Sequence, residues 1–254
     1  MNTQLTIFTT WSPQELKETE CAAVTADMSK KYPHVKFRQF DPEALLTKHG
    51  LFNNTHIGWM KSWANTSPRE HHVITRLSDI FRIALQLEYH MTYVDMDVAF
   101  LNLDSSVYGS VPNVAAPVWS EEKGALEIQN SLFCFSPAQL KYLLQSIRSL
   151  MDQRGEQQVT KNMYIYTQLG PNLFQHSLYR MQQMDPVQLY YTNSDDHWKV
   201  EDVARQHRSY GGFLFLHLDA SNRRRNWYKN KKRTYPMLVQ ELREACPLPL
   251  QASV

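Results

Sequence analysis

Strand-like and helical segments alternate along these 254 residues, and that alternation predicts an α/β fold: a mixed, mostly parallel sheet with helices on both faces. Two further observations carry the prediction. One long segment, 67–89, has a clear helical period, and it runs straight into an apolar strand interrupted by two carboxylates. The composition, 43% hydrophobic and 20% charged, is that of a folded chain able to bury most of its apolar surface without staples. It excludes collagen, a disordered tail and a coiled coil.

In chain order, Gln4–Thr10 reads as an opening strand, and Ser12-Pro13-Gln14-Glu15 starts a helix. His34–Phe40 alternates Val35 and Phe37 with polar neighbours and predicts a second strand. Residues 41–66, rich in Asn and Trp, fit neither period. Ser67-Pro68-Arg69-Glu70 combines an N-cap hydroxyl, Pro at the first helical position and Glu at the third, the pattern of a capping box. At about 100° per residue, Val73, Leu77, Ile80, Phe81, Ala84 and Leu87 fall on one apolar arc. Thr75, Asp79, Arg82 and Gln86 form a narrow polar stripe opposite, with Arg76 at its edge, and the helix runs to about Tyr89.

Met91–Leu101 follows as a β-rich run. Further strands are expected at Asn113–Trp119, Glu127–Phe135, Val187–Thr192 and Gly212–Leu218, and helices at Ala138–Gln153, Asn172–Met181 and Met237–Ala245. There is no internal repeat and no low-complexity linker, so one compact unit is expected.

Charge and cysteine content narrow the function. Seven of the 27 basic residues crowd into 223–233, and the remaining 20 face 25 acidic residues. A basic run of that kind suits nucleic acid, anionic lipid or a phosphorylated small molecule. The acidic remainder argues against a dedicated nucleic-acid binder, whose positive field covers a whole face. Cys21, Cys134 and Cys246 are far apart and form neither a disulfide framework nor a zinc site. No apolar stretch approaches the roughly 18 residues that cross a bilayer, and the first residues lack the pattern of a signal peptide. The chain as written is expected in the cytoplasm, or in the secretory pathway where a membrane anchor precedes it.

Two groups of residues point to chemistry. Asp95 and Asp97, two apart on a strand, project to one face. Like charges so close repel, and a divalent cation such as Mn²⁺ or Mg²⁺, bound together with substrate phosphates, would hold them there. The plain alternative is a loop cap and a solvated carboxylate. Ligands bind at the carboxyl ends of strands in such sheets, which favours the site. Arg76, Asp79 and Arg82, 13 to 19 residues earlier, could form a surface ladder of i,i+3 pairs. Their helix, however, leads directly into the strand that carries the two aspartates.

Thr75-Arg76-Leu77-Ser78-Asp79-Ile80-Phe81-Arg82 followed by Tyr93-Val94-Asp95-Met96-Asp97-Val98 resembles the DXD sugar-binding region of glycosyltransferase family 32 and the related glucosylating bacterial toxins. Those proteins share an R-x-S-D-x-x-R helix and a Y-x-D-x-D strand. Ile128-Gln129-Asn130 resembles a short Asn-containing strand behind their site. His217, with Trp227 further on, resembles a family feature near the C-terminus. The resemblance implies a GT-A-type, Rossmann-like fold over 1–254 as a single domain. Its nucleotide-sugar-binding half would be 1–110, its acceptor half 111–222 and its basic C-terminal segment 223–254.

It also implies a metal-dependent retaining glycosyltransferase using Mn²⁺ or Mg²⁺. The donor would be a nucleotide sugar, UDP-linked by preference and GDP-linked as the alternative, and the acceptor a glycan or other hydroxyl. By position, Asp97 would ligate the metal, with Asp95 and His217 as further ligands. Asp95 would also contact ribose or sugar. Asp79 would accept bonds from sugar hydroxyls, Arg82 would bind sugar or diphosphate beside Arg76, and Thr9 and Trp11 would hold base and ribose. Gln168-Leu169-Gly170-Pro171 resembles a loop facing the acceptor. Independently of the resemblance, the charge of the basic run would suit a lid over the diphosphate, with one of Arg223, Arg224, Arg225 or Lys229 in contact with it.

Two features depart from the family. Where it places Gly-Gly before the aromatic of the strand, this chain has His90-Met91. The turn must therefore differ or accept a left-handed residue at roughly 1 kcal/mol or more. The family's C-terminal Ser-Trp is not reproduced, and Ser221 and Asn222 are the candidates for that place. Rival readings use the same residues. A haloacid-dehalogenase-like phosphatase would make Asp95 the nucleophile, but leaves the Arg76, Asp79 and Arg82 helix without a role. A domain that binds a sugar or partner without turnover is the other.

Overall fold

The computed structural model describes residues 5–9, 30, 33, 35–64, 71–95, 98–100, 114–120, 125–161, 169–189, 204–205, 215–217, 240–241 and 244–245. The chain divides into two compact units, Met1–Ser62 and Trp63–Val254. The expected helix from Ser12, the capping box at 67–70 and most of the expected helix at Met237–Ala245 lie outside the described residues.

In the first unit, strands β1 (Leu5–Thr9) and β2 (Val35–Gln39) pair in parallel, Leu5 opposite Val35 and Thr9 opposite Gln39. The stretch that fitted neither period holds two helices. Asp41 caps α1 (Pro42–Lys48): its carboxylate accepts the N–H groups of Glu43 at 2.9 Å and Ala44 at 3.2 Å, and Pro42 follows it. At α2 (Asn54–Ala64), Asn53 Oδ1 accepts the His56 N–H at 3.0 Å, while the Asn53 N–H donates to His56 Nδ1 at 3.4 Å. This is a reciprocal cap with His in the place usually taken by Glu or Gln. Leu45, Leu46, Ile57 and Met60 are buried.

The second unit begins with α3 (His71–Tyr89). Leu77, Ile80, Ala84 and Leu87 of its apolar arc are buried, as the period predicts. The opposite stripe is buried as well: Asp79, Arg82 and Gln86 are at most 7% exposed. The surface ladder of ion pairs is therefore excluded for Asp79 and Arg82, because protein rather than water supplies their partners. His90 ends the helix at φ 51°, its N–H donating to Gln86 O at 2.8 Å. Of the two outcomes open without the family's glycine, a different turn or a left-handed residue, this is the second.

Strands β3 (Tyr93–Val94), β4 (Val98–Phe100), β5 (Val114–Ser120), β6 (Ala125–Cys134), β7 (Gln188–Leu189) and β8 (Phe215–His217) alternate with α4 (Pro137–Lys161) and α5 (Pro171–Met184). Gly155, at φ 69° and ψ 165°, interrupts α4 close to the expected end. A four-stranded sheet runs β3-β6-β5-β7, and β4 pairs with β8. The expectation of a mostly parallel sheet needs correction. Among the described residues only β1–β2 and β5–β7 are parallel, while β3–β6, β5–β6 and β4–β8 are antiparallel. The β5–β6 case has a simple cause: β5 ends at Ser120 and β6 begins at Ala125, and so short a connection permits only antiparallel pairing.

The core of this unit sits where Ile80, Ile83, Leu140, Leu143, Leu144 and Ile147 of α3 and α4 bury almost completely. Phe133 and Phe135 stack at 5.3 Å, and Phe174 of α5 meets both edge-on. Among the described residues, no helix is long and apolar enough to cross a membrane.

Candidate functional site

The site grows from one side chain. Arg82 projects from α3 into the unit, 8% exposed, and its guanidinium lies 4.9 Å above the centre of the Tyr93 ring. Its three nitrogens face five oxygens. Nε donates to Ser78 O at 3.4 Å, and Nη1 to Asn130 O at 2.8 Å and Asp95 Oδ2 at 3.4 Å. Nη2 donates to Ser78 Oγ at 3.2 Å and stands 3.4 Å from Asp79 Oδ1.

A local irregularity makes this possible. Ala115 of β5 pairs with Phe133 of β6 but Ala116 pairs with Gln129, so Asn130, Ser131 and Leu132 have no partner on β5. Such a bulge takes groups out of the ladder and re-aims them. The Asn130 carbonyl goes to Arg82, and its amide donates to Asp79 Oδ1 at 2.7 Å. Ser131 O accepts the Asp95 N–H at 2.7 Å.

Asp79 is enclosed on its other side by Gly170, the N-cap of α5. A Cβ on Gly170 would stand 2.9 Å from Asp79 Oδ2, nearer than real Cβ contacts come, so the close approach requires glycine. Burial pushes the Asp79 carboxyl up to about 6, against the pull of Arg82 and the Asn130 hydrogen bond. Asp95 differs. It directly follows β3 with its side chain 24% exposed, its Oδ1 accepting the Tyr93 hydroxyl at 2.5 Å. Burial pushes the Tyr93 phenol well above its ordinary range, so it stays a donor to Asp95.

Gln86, one helical turn beyond Arg82, fixes this arrangement to the sheet. Its amide donates to Met91 O at 2.9 Å and Phe133 O at 2.7 Å and accepts the Phe135 N–H at 3.0 Å.

The structure thus brings Asp79, Arg82 and Asp95 together, and adds Asn130, Tyr93, Ser78 and Gly170 to them. Asn130 and Gly170 belong to segments the sequence marked, but no spacing rule ties them to Asp79. Asp97 and Trp11 lie outside the described residues, as do the side chains of Arg76, Thr9 and His217. Thr9 ends β1 in the first unit. His217 pairs with Val98, one residue beyond Asp97. No three metal-binding side chains converge among the described residues. The described part of the expected donor set is Asp95, a hard-oxygen carboxylate that suits Mn²⁺ or Mg²⁺. The chain matches no protein-family model, no curated protein and no solved structure.

Proposed function

We propose that the chain is a metal-dependent retaining glycosyltransferase with a GT-A-type fold, moving a sugar from a UDP-sugar, or alternatively a GDP-sugar, to a hydroxyl of a glycan or similar acceptor. One observation supports this above all. The helix motif and the strand motif that carry the resemblance close on each other through Arg82, which stands 3.4 Å from both Asp79 and Asp95.

Sugar transfer expels a nucleoside diphosphate as negative charge grows on it. A Mn²⁺ or Mg²⁺ ion, when bound, stabilises that charge electrostatically. The residues that would hold it are Asp97 and Asp95, with His217 as the further candidate. Asp95 would accept a ribose or sugar hydroxyl, a role supported by its side chain being the most exposed of the charged trio Asp79, Arg82 and Asp95. Tyr93 and Arg82 hold its two oxygens from within. A site whose donors and acceptors are fixed before the substrate arrives needs no reorganisation as the charge develops. Retention of configuration is assigned to front-face attack, and no side chain is named as a nucleophile.

The test is donor hydrolysis without acceptor, with Mn²⁺ and a panel of UDP- and GDP-sugars. The unsubstituted chain is expected to release nucleoside diphosphate only with metal. Asp97→Asn is expected to abolish that release while keeping the circular dichroism of the parent. Undiminished turnover by this variant would remove the metal assignment, and cleavage of p-nitrophenyl phosphate in place of donor would identify a phosphatase instead.

A further inference from the structure

The resemblance implies that Arg82 binds the donor, but its surroundings say otherwise. Five oxygens stand within 3.4 Å of its three nitrogens, all from this chain: Ser78 O and Oγ, Asp79 Oδ1, Asp95 Oδ2 and Asn130 O. A guanidinium has five N–H groups and no more. The side chain is 8% exposed, and the Tyr93 ring covers one of its faces. To meet a phosphate or a sugar hydroxyl, Arg82 would have to leave a buried carboxylate or carbonyl without its partner, which is costly.

We propose that Arg82 is a positioning residue that acts on the donor only through Asp95. This rests on the functional reading above and deepens it. Arg82 reaches the Asp95 carboxylate by two routes. Nη1 bonds Oδ2 directly, and the guanidinium packs on the ring of Tyr93, whose hydroxyl bonds Oδ1. The backbone of Asp95 is fixed in turn by Ser131 O, and Arg82 braces the neighbouring Asn130 O. The carboxylate is therefore oriented at both oxygens and at its main chain, and Asp95 alone of the charged trio is a quarter exposed. Asp79 serves as the internal anchor of the guanidinium.

A binding cycle decides it. Affinity for a UDP-sugar (UDP-glucose and UDP-N-acetylglucosamine, each with Mn²⁺) is measured by calorimetry for the unsubstituted chain, Arg82→Lys, Asp95→Asn and the double variant. If Arg82 works through Asp95, Arg82→Lys weakens binding about ten-fold in the parent and less than about two-fold when Asp95→Asn is already present. An equal loss in both backgrounds means an independent donor contact and overturns the proposal. Tyr93→Phe guards against a misfolded Arg82 variant. It removes one hydroxyl from the same relay, and its effect must also vanish in the Asp95→Asn background.

If the unsubstituted chain binds neither these donors nor GDP-mannose, the functional reading fails. Urea unfolding of the same four chains then decides on Arg82 by itself. Midpoint shifts that fail to sum support the internal link to Asp95, and shifts that sum overturn it.

Discussion

Asp79 shows how much a single residue's surroundings control. It sits 4% exposed between an arginine, an asparagine amide and the bare Cα of Gly170. Water is excluded, and its carboxyl rises from an ordinary 3.8 to about 6 although Arg82 stands beside it. The sign of the consequence follows. Between those two values the folded chain binds a proton that the unfolded chain does not, so this group's contribution to stability falls as pH rises through the window. The loss is complete above about 6 and amounts to roughly 3 kcal/mol. Asp79→Asn removes the titration with little change of shape. Urea unfolding at about pH 4 and about pH 7 should show the parent losing roughly 2.5 kcal/mol more than the variant over that span. Parallel curves would mean that Asp79 stays ionised in the folded chain.

At the scale of elements, the described part of α3 was legible because its period is long and its apolar residues regular, while its expected start at 67–70 lies outside the described residues. Its end at Tyr89 follows from the same period, and the left-handed turn after it is one of the two outcomes left open by His90-Met91 where the resembling family has Gly-Gly. What the helical wheel could not say was where the polar stripe points. A stripe of Asp, Arg and Gln looks the same whether water or a bulged strand satisfies it, and the bulge at Asn130–Leu132 leaves no mark in local composition. The short helices α1 and α2 escaped for another reason. Their caps at Asp41 and Asn53 are clear in hindsight, but seven and eleven residues hold too few turns for a period to emerge. The antiparallel β5–β6 pair is marked in the sequence only by the short connection between the two strands, a weaker signal than the alternation of strands and helices around it. The left-handed turn gives a direct check. A non-glycine residue there costs about 1 kcal/mol, and glycine gives part of that back through its greater freedom in the unfolded chain. His90→Gly is therefore expected to raise stability by about 0.5–1 kcal/mol, read as a higher urea midpoint. A lower midpoint would mean that the imidazole contributes more than the backbone strain removes.

For the molecule as a whole, charge is the property that the sequence states most clearly. The net +2 combines a run of seven basic residues at 223–233 with a remainder that is acidic by five. If the site takes a nucleotide sugar, the acidic remainder repels the diphosphate at a distance, and Arg82 is already held by Asp79 and Asp95. Beside a bound metal ion, the basic run is the concentrated source of further cations that would meet the phosphates. Replacing Arg223, Arg224, Arg225 and Lys229 together by Gln should then weaken UDP binding about ten-fold in the presence of Mn²⁺. It should also flatten the dependence of that affinity on salt, since fewer charges remain to be screened. The two readouts separate a phosphate contact from a fold defect, because damage to the site would lower affinity without changing the salt slope. Near-normal affinity with an unchanged slope would take the basic run out of donor binding and leave it as a solvated segment or a surface for another anionic partner.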